Sequence, residues 1–189
     1  MMRPMDKEDI PHLRLRNLRL EGEPLAAPED AVGWLGAVQS QDFAPAKWSL
    51  AQRTGGLGDA AVDRAFADGA ILRTHVLRPT WHFVLPADIR WLLELTAPRV
   101  HALNAYYYRQ LGLDEDTFRR SGALLAGALR GGAHRTRKQL AATLERGGVA
   151  LLGGLRLGYL LINAELRGII CSGAPQGKQQ TYALLVERA

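Results

Sequence analysis

The sequence has only one cysteine, Cys171, in 189 residues. That excludes an internal disulfide and a cysteine-rich zinc site, leaves the interior to be held by packing, and fits a reducing compartment. Also missing is any apolar run near the ~18 residues that a membrane-spanning helix needs. The start, Met1-Met2-Arg3-Pro4-Met5-Asp6-Lys7-Glu8, lacks a signal-peptide apolar core, so a cytoplasmic protein is expected. Acidic residues become scarce toward the end. Residues 117–189 set 11 Lys/Arg against Glu145, Glu165 and Glu187 alone, a net charge of +8, whereas residues 1–116 carry 13 Lys/Arg and 16 Asp/Glu, a net charge of −3. The overall charge of +5 and pI near 9.7 therefore belong to the C-terminal part. This points to an anionic partner, with an evenly solvated basic surface as the alternative. Apolar residues are plentiful, at 47%, enough for the core of one ample domain or two small ones.

The pattern along the chain is mainly helical with small β-hairpins, an α+β class. A first helix is expected over residues 10–20 and a second over 28–39, opened by Pro28, Glu29 and Asp30 with a Val32/Leu35/Val38 stripe. A third is expected over 59–67, closed by Gly69. β-Branched and aromatic residues over 71–85, around Arg78-Pro79-Thr80, predict a hairpin. Two helices, 87–96 and 99–111, are expected on either side of Pro98, and another from Asp114 or Asp116 to Arg130. Gly131-Gly132 reads as the boundary between an N-terminal unit, 1–131, and a second unit, 132–189. In the second unit Thr136-Arg137-Lys138-Gln139 forms a capping box. A helix to Arg146, a helix over 155–167, and strands over 169–172 and 179–185 follow. Helix, turn, helix, strand, turn, strand is the winged-helix order, so tandem winged-helix units are predicted.

Several constellations could carry function. On the 155–167 helix, Arg156, Tyr159, Asn163 and Arg167 fall on one face opposite the leucines. In a winged helix that element enters the major groove, where arginine pairs with guanine and asparagine with adenine; a solvated face is the alternative. Lys178 and Gln179 at the wing tip would meet phosphate or minor groove, and Arg135, Arg137 and Lys138 cluster at a helix N-terminus that favours phosphate. Gln39 and Gln41 diverge on a continuous helix. They can face one side as a two-amide clamp only if the helix ends near Gln39 and the chain becomes extended. Otherwise they are a polar helix end satisfying backbone groups. His75 and His82 would oppose each other if Arg78 and Pro79 were the two loop residues; without a third ligand they read as structural histidines, and neither a metal nor a cofactor is predicted. Trp81, Phe83, Trp91 and Tyr106-Tyr107-Tyr108 read as core or rim packing, and Gly55-Gly56-Leu57-Gly58 as a loop.

Three separated blocks, VGWLGAVQSQDFAPAKWSL from Val32, ILRTHVLRPTWHFV from Ile71 and LRGIICSGAPQGKQQTYALL from Leu166, resemble in order the winged-helix family that includes the AlkZ and YcaQ type interstrand-crosslink DNA glycosylases. The resemblance covers most of the chain. Its Gln-x-Gln motif, proposed to carry catalysis in the azinomycin-resistance branch, falls on Gln39 and Gln41. It implies hydrolysis of the bond joining deoxyribose to a purine alkylated on an imidazole nitrogen, with double-stranded, alkylated or crosslinked DNA as partner and a nucleoid location. Such proteins generally have three winged-helix units, so a third unit is expected to be absent here. Two other readings remain: a non-catalytic winged-helix transcription regulator, favoured by the Arg156/Tyr159/Asn163/Arg167 stripe, and a helical interaction module that never touches DNA.

Overall fold

One order of elements, helix, strand, helix, helix, strand, strand, occurs twice in the computed structural model, which describes residues 9–189. The start of the chain, expected to lack a signal-peptide core, lies outside these residues. After α1 (Asp9–Asn17), the first set is α2 (Pro28–Leu35), β1 (Val38–Gln39), α3 (Phe43–Ala51), α4 (Asp59–Asp68), β2 (Leu72–His75) and β3 (Trp81–Val84). The long α5 (Pro86–Gln110) leads to the second: α6 (Glu115–Leu129), β4 (Arg135–Thr136), α7 (Arg137–Arg146), α8 (Gly154–Leu166), β5 (Ile170–Gln176) and β6 (Gln179–Leu184), with a 3-10 turn over Leu185–Glu187. Each set closes a three-stranded antiparallel sheet with its last strand in the middle, β1-β3-β2 and β4-β6-β5. This is winged-helix topology, repeated. Among the described residues no helix is long and apolar enough to cross a membrane.

Local chemistry explains most boundaries. Pro28 starts α2, and the Asp30 carboxylate accepts from the Ala27 backbone N–H at 3.0 Å. Gly36 stops the helix with φ +74, a conformation glycine adopts without penalty. The predicted extension of this helix to residue 39 is therefore wrong, and Val38–Gln39 is a strand. Asp114 caps α6 by accepting from Thr117 N–H at 2.8 Å. The capping box of α7 is present: Thr136 Oγ1 accepts from Gln139 N–H at 3.3 Å, and Gln139 accepts from Thr136 N–H at 2.8 Å.

Two further expectations are corrected. Pro98 does not divide two helices but lies inside α5. Ile89, Leu92, Leu93, Ala97 and Val100 bury one side of that helix across the proline, and this packing outweighs a proline cost of about 3 kcal/mol. Second, His75 pairs with Trp81 and His82 with Thr74, so the loop spans Val76 to Thr80 and the histidines are not opposed. Among the described residues no group of three or more potential ligands could hold a metal.

One core fills the first set, around Leu50, Phe66, Ile71 and Phe83, and another fills the second, around Leu125, Leu140, Leu144 and Leu160. Helix α6 contributes Phe118, Leu125 and Leu129 to the second core. A third cluster joins the sets: Leu72 and Val84 pack with Ile89 and Leu93 of α5 and with Cys171 and Leu185. Burial pushes the Cys171 thiol up to about 12, so it stays protonated and acts as a small apolar group.

Candidate active site

Strand β1 is the edge of the first sheet and carries Gln39 opposite His82. The next residue keeps the chain extended, since Ser40 N–H donates to Trp81 O at 2.8 Å. Side chains alternate across a strand, and here Gln39 and Gln41 are exposed while Ser40 between them is fully buried. This is the geometry in which the two amides share one side.

Both are tied to the β2–β3 hairpin. Gln41 Oε1 accepts from Trp81 N–H at 3.3 Å, and Gln39 Oε1 accepts from the Arg78 guanidinium in the loop. That loop is tight: Arg78 N–H donates to Val76 O at 2.7 Å and Thr80 N–H to Arg78 O at 2.6 Å, and Leu77 lies at φ +67. A γ-turn around a non-glycine residue of positive φ is strained. It is held from outside by Thr96 Oγ1, which accepts from Leu77 N–H at 3.0 Å.

Beneath the glutamines is a polar layer of buried groups. Arg73, 5% exposed, donates through Nε and Nη2 to Ser40 O at 3.1 and 2.9 Å, and through Nη2 to Gln41 O at 3.4 Å. Its guanidinium lies over the Trp81 ring at 4.5 Å. Burial pulls this group below the usual arginine range, and the nearby Glu165 charge opposes that pull. Glu165 itself, on α8, is wholly buried; its Oε2 is 2.5 Å from His75 Nδ1, and its Oε1 accepts from Trp81 Nε1 at 3.2 Å.

The sequence missed this layer, although signals were present. Strand β2 is buried at all four positions, Arg73 included, so it breaks period-two alternation. Glu165 sits four and eight residues after Leu161 and Leu157, on the apolar stripe of its helix.

Burial holds His82 below the usual histidine pKa, and the charges of Arg78 and His75 add to the effect; His101 and His134 are likewise lowered, chiefly by burial. A histidine with a depressed folded pKa binds protons more weakly folded than unfolded. Its contribution is complete above the unfolded value of about 6.5 and is lost as pH falls toward the folded one. The thermal unfolding midpoint is thus expected to fall between about pH 7.5 and 5. A flat or rising midpoint over that interval, measured at constant ionic strength, would contradict these assignments.

The candidate DNA-contacting residues lie on several elements, with the grooves holding Arg137, Lys138 and Gln179 and holding Lys178 meeting at Gln180. Arg137, Lys138 and Gln179 line a shared shallow groove, and Lys178 lines a cleft between the second hairpin and α3 and α4. Arg135 lies instead on a groove between α6 and α7. The α8 stripe turns into the protein. Arg156 donates to Leu111 O, Tyr159 stacks on Tyr107 with ring centroids 5.1 Å apart, Asn163 is 2% exposed, and Arg167 donates to both Glu115 oxygens at 2.8 and 2.5 Å. Asn163 is buried and Arg156 and Tyr159 are half-buried, whereas Arg167 stays exposed in its pair with Glu115. The tyrosines ending α5 and the start of α6 offer this stripe partners that a helical-wheel reading cannot reveal.

A repeated winged-helix unit with paired glutamines at the edge of its first sheet defines a tandem winged-helix protein with a candidate site on β1. The profile described as DNA glycosylase AlkZ-like matches residues 32–188, and the chain belongs to that family. It is 27% identical over 175 residues to an interstrand DNA cross-link repair glycosylase of Streptomyces sahachiroi, a match covering 90% of this chain and 47% of the relative. The solved structure of the Streptomyces sahachiroi DNA glycosylase AlkZ superposes with a TM-score of 0.79 at 26% identity, covering 92% of this chain and 47% of that one. The chain thus spans about half the length of the relatives it matches.

Proposed function

We infer that this chain binds duplex DNA and carries the glutamine pair of a DNA glycosylase that hydrolyses the N-glycosidic bond of alkylated or crosslinked purines. The observation that supports this reading most is the exposed Gln39 and Gln41 flanking buried Ser40, each with its amide oxygen oriented by the hairpin. A purine alkylated on an imidazole nitrogen is cationic and departs without protonation. The protein then needs to hold a water against an oxocarbenium-like sugar rather than supply a strong acid. An amide oxygen has two lone pairs, so each glutamine can keep its hairpin donor and accept from the attacking water. Arg78 beside Gln39 would repel a cationic sugar unless a phosphate neutralises the guanidinium. In this reading Arg78 is a phosphate ligand as well as a partner of Gln39.

The boundary between the two units falls before α6 in this reading rather than at Gly131-Gly132, since α6 packs its apolar side into the second core. Work on chromosomal DNA would place the protein at the nucleoid. The alternative of an operator-reading regulator loses support because the polar stripe of α8 is engaged by α5 and α6. Incubation with a duplex carrying one N7-alkylated purine is expected to leave an abasic site at that position, read as strand breakage after alkali. A random-duplex selection that enriches an operator-like motif, with no base release, would favour the regulator instead.

Arg137→Glu combined with Lys138→Glu is expected to weaken duplex binding at least tenfold. It should make the log–log salt dependence shallower by about 2, one for each lost phosphate contact. Titration at several salt concentrations checks this; an unchanged affinity and slope would support a module that never touches DNA.

A further inference from the structure

Glu165 is wholly buried, belongs to the second winged helix, and makes its two short side-chain contacts to the hairpin of the first, His75 at 2.5 Å and Trp81 Nε1 at 3.2 Å. Trp81 also supplies the N–H that orients Gln41 and the carbonyl that fixes Ser40, and its ring lies under Arg73, which holds the Ser40 and Gln41 carbonyls. An unbroken series of contacts therefore runs from α8 of the second winged helix to the backbone between the glutamines. A buried carboxylate is costly unless fully partnered, and a buried guanidinium needs a nearby counter-charge. Glu165 meets both conditions: its oxygens have donors, and it is the carboxylate acting on Arg73.

We propose that Glu165 is a positioning residue for the Gln39/Gln41 pair, so that α8 of the second unit sets the alignment of the site in the first. The inference rests on the glycosylase reading for its activity arm alone. Replacement of the carboxylate by an amide of the same shape, Glu165→Gln, keeps one accepting oxygen, turns the other position into a donor, and removes the charge that acts on Arg73. Trp81→Phe removes the indole N–H that Glu165 accepts while keeping an aromatic ring and the backbone N–H used by Gln41. Neither residue touches the reacting atoms in this account.

The experiment measures both variants and the unaltered chain in three ways: single-turnover release of an N7-alkylated purine, affinity for the same duplex, and the side-chain amide NMR signals of Gln39 and Gln41. Each variant is expected to release base at least tenfold more slowly while binding DNA within twofold of the unaltered chain, with the glutamine amide signals displaced. A merely structural role would instead lower rate and affinity together, in proportion to the unfolded fraction, and would overturn the proposal. Unchanged rates with unmoved amide signals would overturn it too. If the unaltered chain releases no base, the glycosylase reading fails on its own, and the amide signals still decide: displacement in Glu165→Gln supports the positioning role and its absence refutes it.

Discussion

Gln39→Ala and Gln41→Ala are each expected to slow single-turnover base release by about 100-fold while leaving duplex affinity within a few-fold of the unaltered chain. Groups that position one water act as a unit, so the double replacement is expected to cost far less than the product of the two single effects. The sign of each effect follows from placement. Both side chains are exposed and can be removed without opening the core, whereas Ser40 between them is buried and its backbone carries the contacts to Trp81 and Arg73. A loss of affinity matching the loss of rate would assign the glutamines to binding instead. Rapid-quench measurement at saturating protein, alongside a binding titration, distinguishes the two.

Arg73→Ala is expected to be the most destabilising replacement near the site. It leaves the Ser40 and Gln41 carbonyls without their guanidinium donor and strands Glu165 as a buried carboxylate without its neighbouring cation. Leaving a buried acceptor without its donor costs about 1–3 kcal/mol; with two carbonyls affected, a fall of roughly 10 °C in the unfolding midpoint is expected in a chain of this size. Arg73→Lys keeps the charge but not the fork that meets two carbonyls, so it should recover only part of the loss. Denaturant titration gives the free-energy difference directly. A change below about 1 kcal/mol for Arg73→Ala, the range of an exposed ion pair, would show that the buried layer does not hold this part of the fold.

Why some of this architecture could be read from the residues and some could not is a matter of how local the cause is. Capping by Asp114 and the Thr136/Gln139 box, the stop at Gly69, and the aromatic hairpin depend on neighbours within a few positions, and all of them are present. Helix α3 escapes a local reading because its inward face includes Lys47, a residue type rarely buried. That lysine is buried because its ammonium donates to Asp59 and Asp63 of α4 at 2.7 and 2.8 Å. Pro45, near its start, further disguised it. The glutamine pair was visible as a motif, but its usable geometry depended on Gly36 ending α2 four residues earlier than periodicity suggested. The α8 stripe was right in angle and wrong in surroundings: a helical face is a local property, and what covers it is not. Glu165 and Arg73 lie further still from local reasoning, since their partners are 84 to 90 and 32 to 33 positions away.

The central claim is that β1 of the first winged helix presents a water-positioning glutamine pair to damaged DNA. Its most direct test is quantitation of the free alkylated base released from a duplex containing one N7-alkylated purine, comparing the unaltered chain with the folded Gln39→Ala/Gln41→Ala double variant. Base release by the unaltered chain and at least a 100-fold slower rate in the variant are expected. Equal rates from the two proteins, or no release above the rate of DNA alone, would contradict that claim.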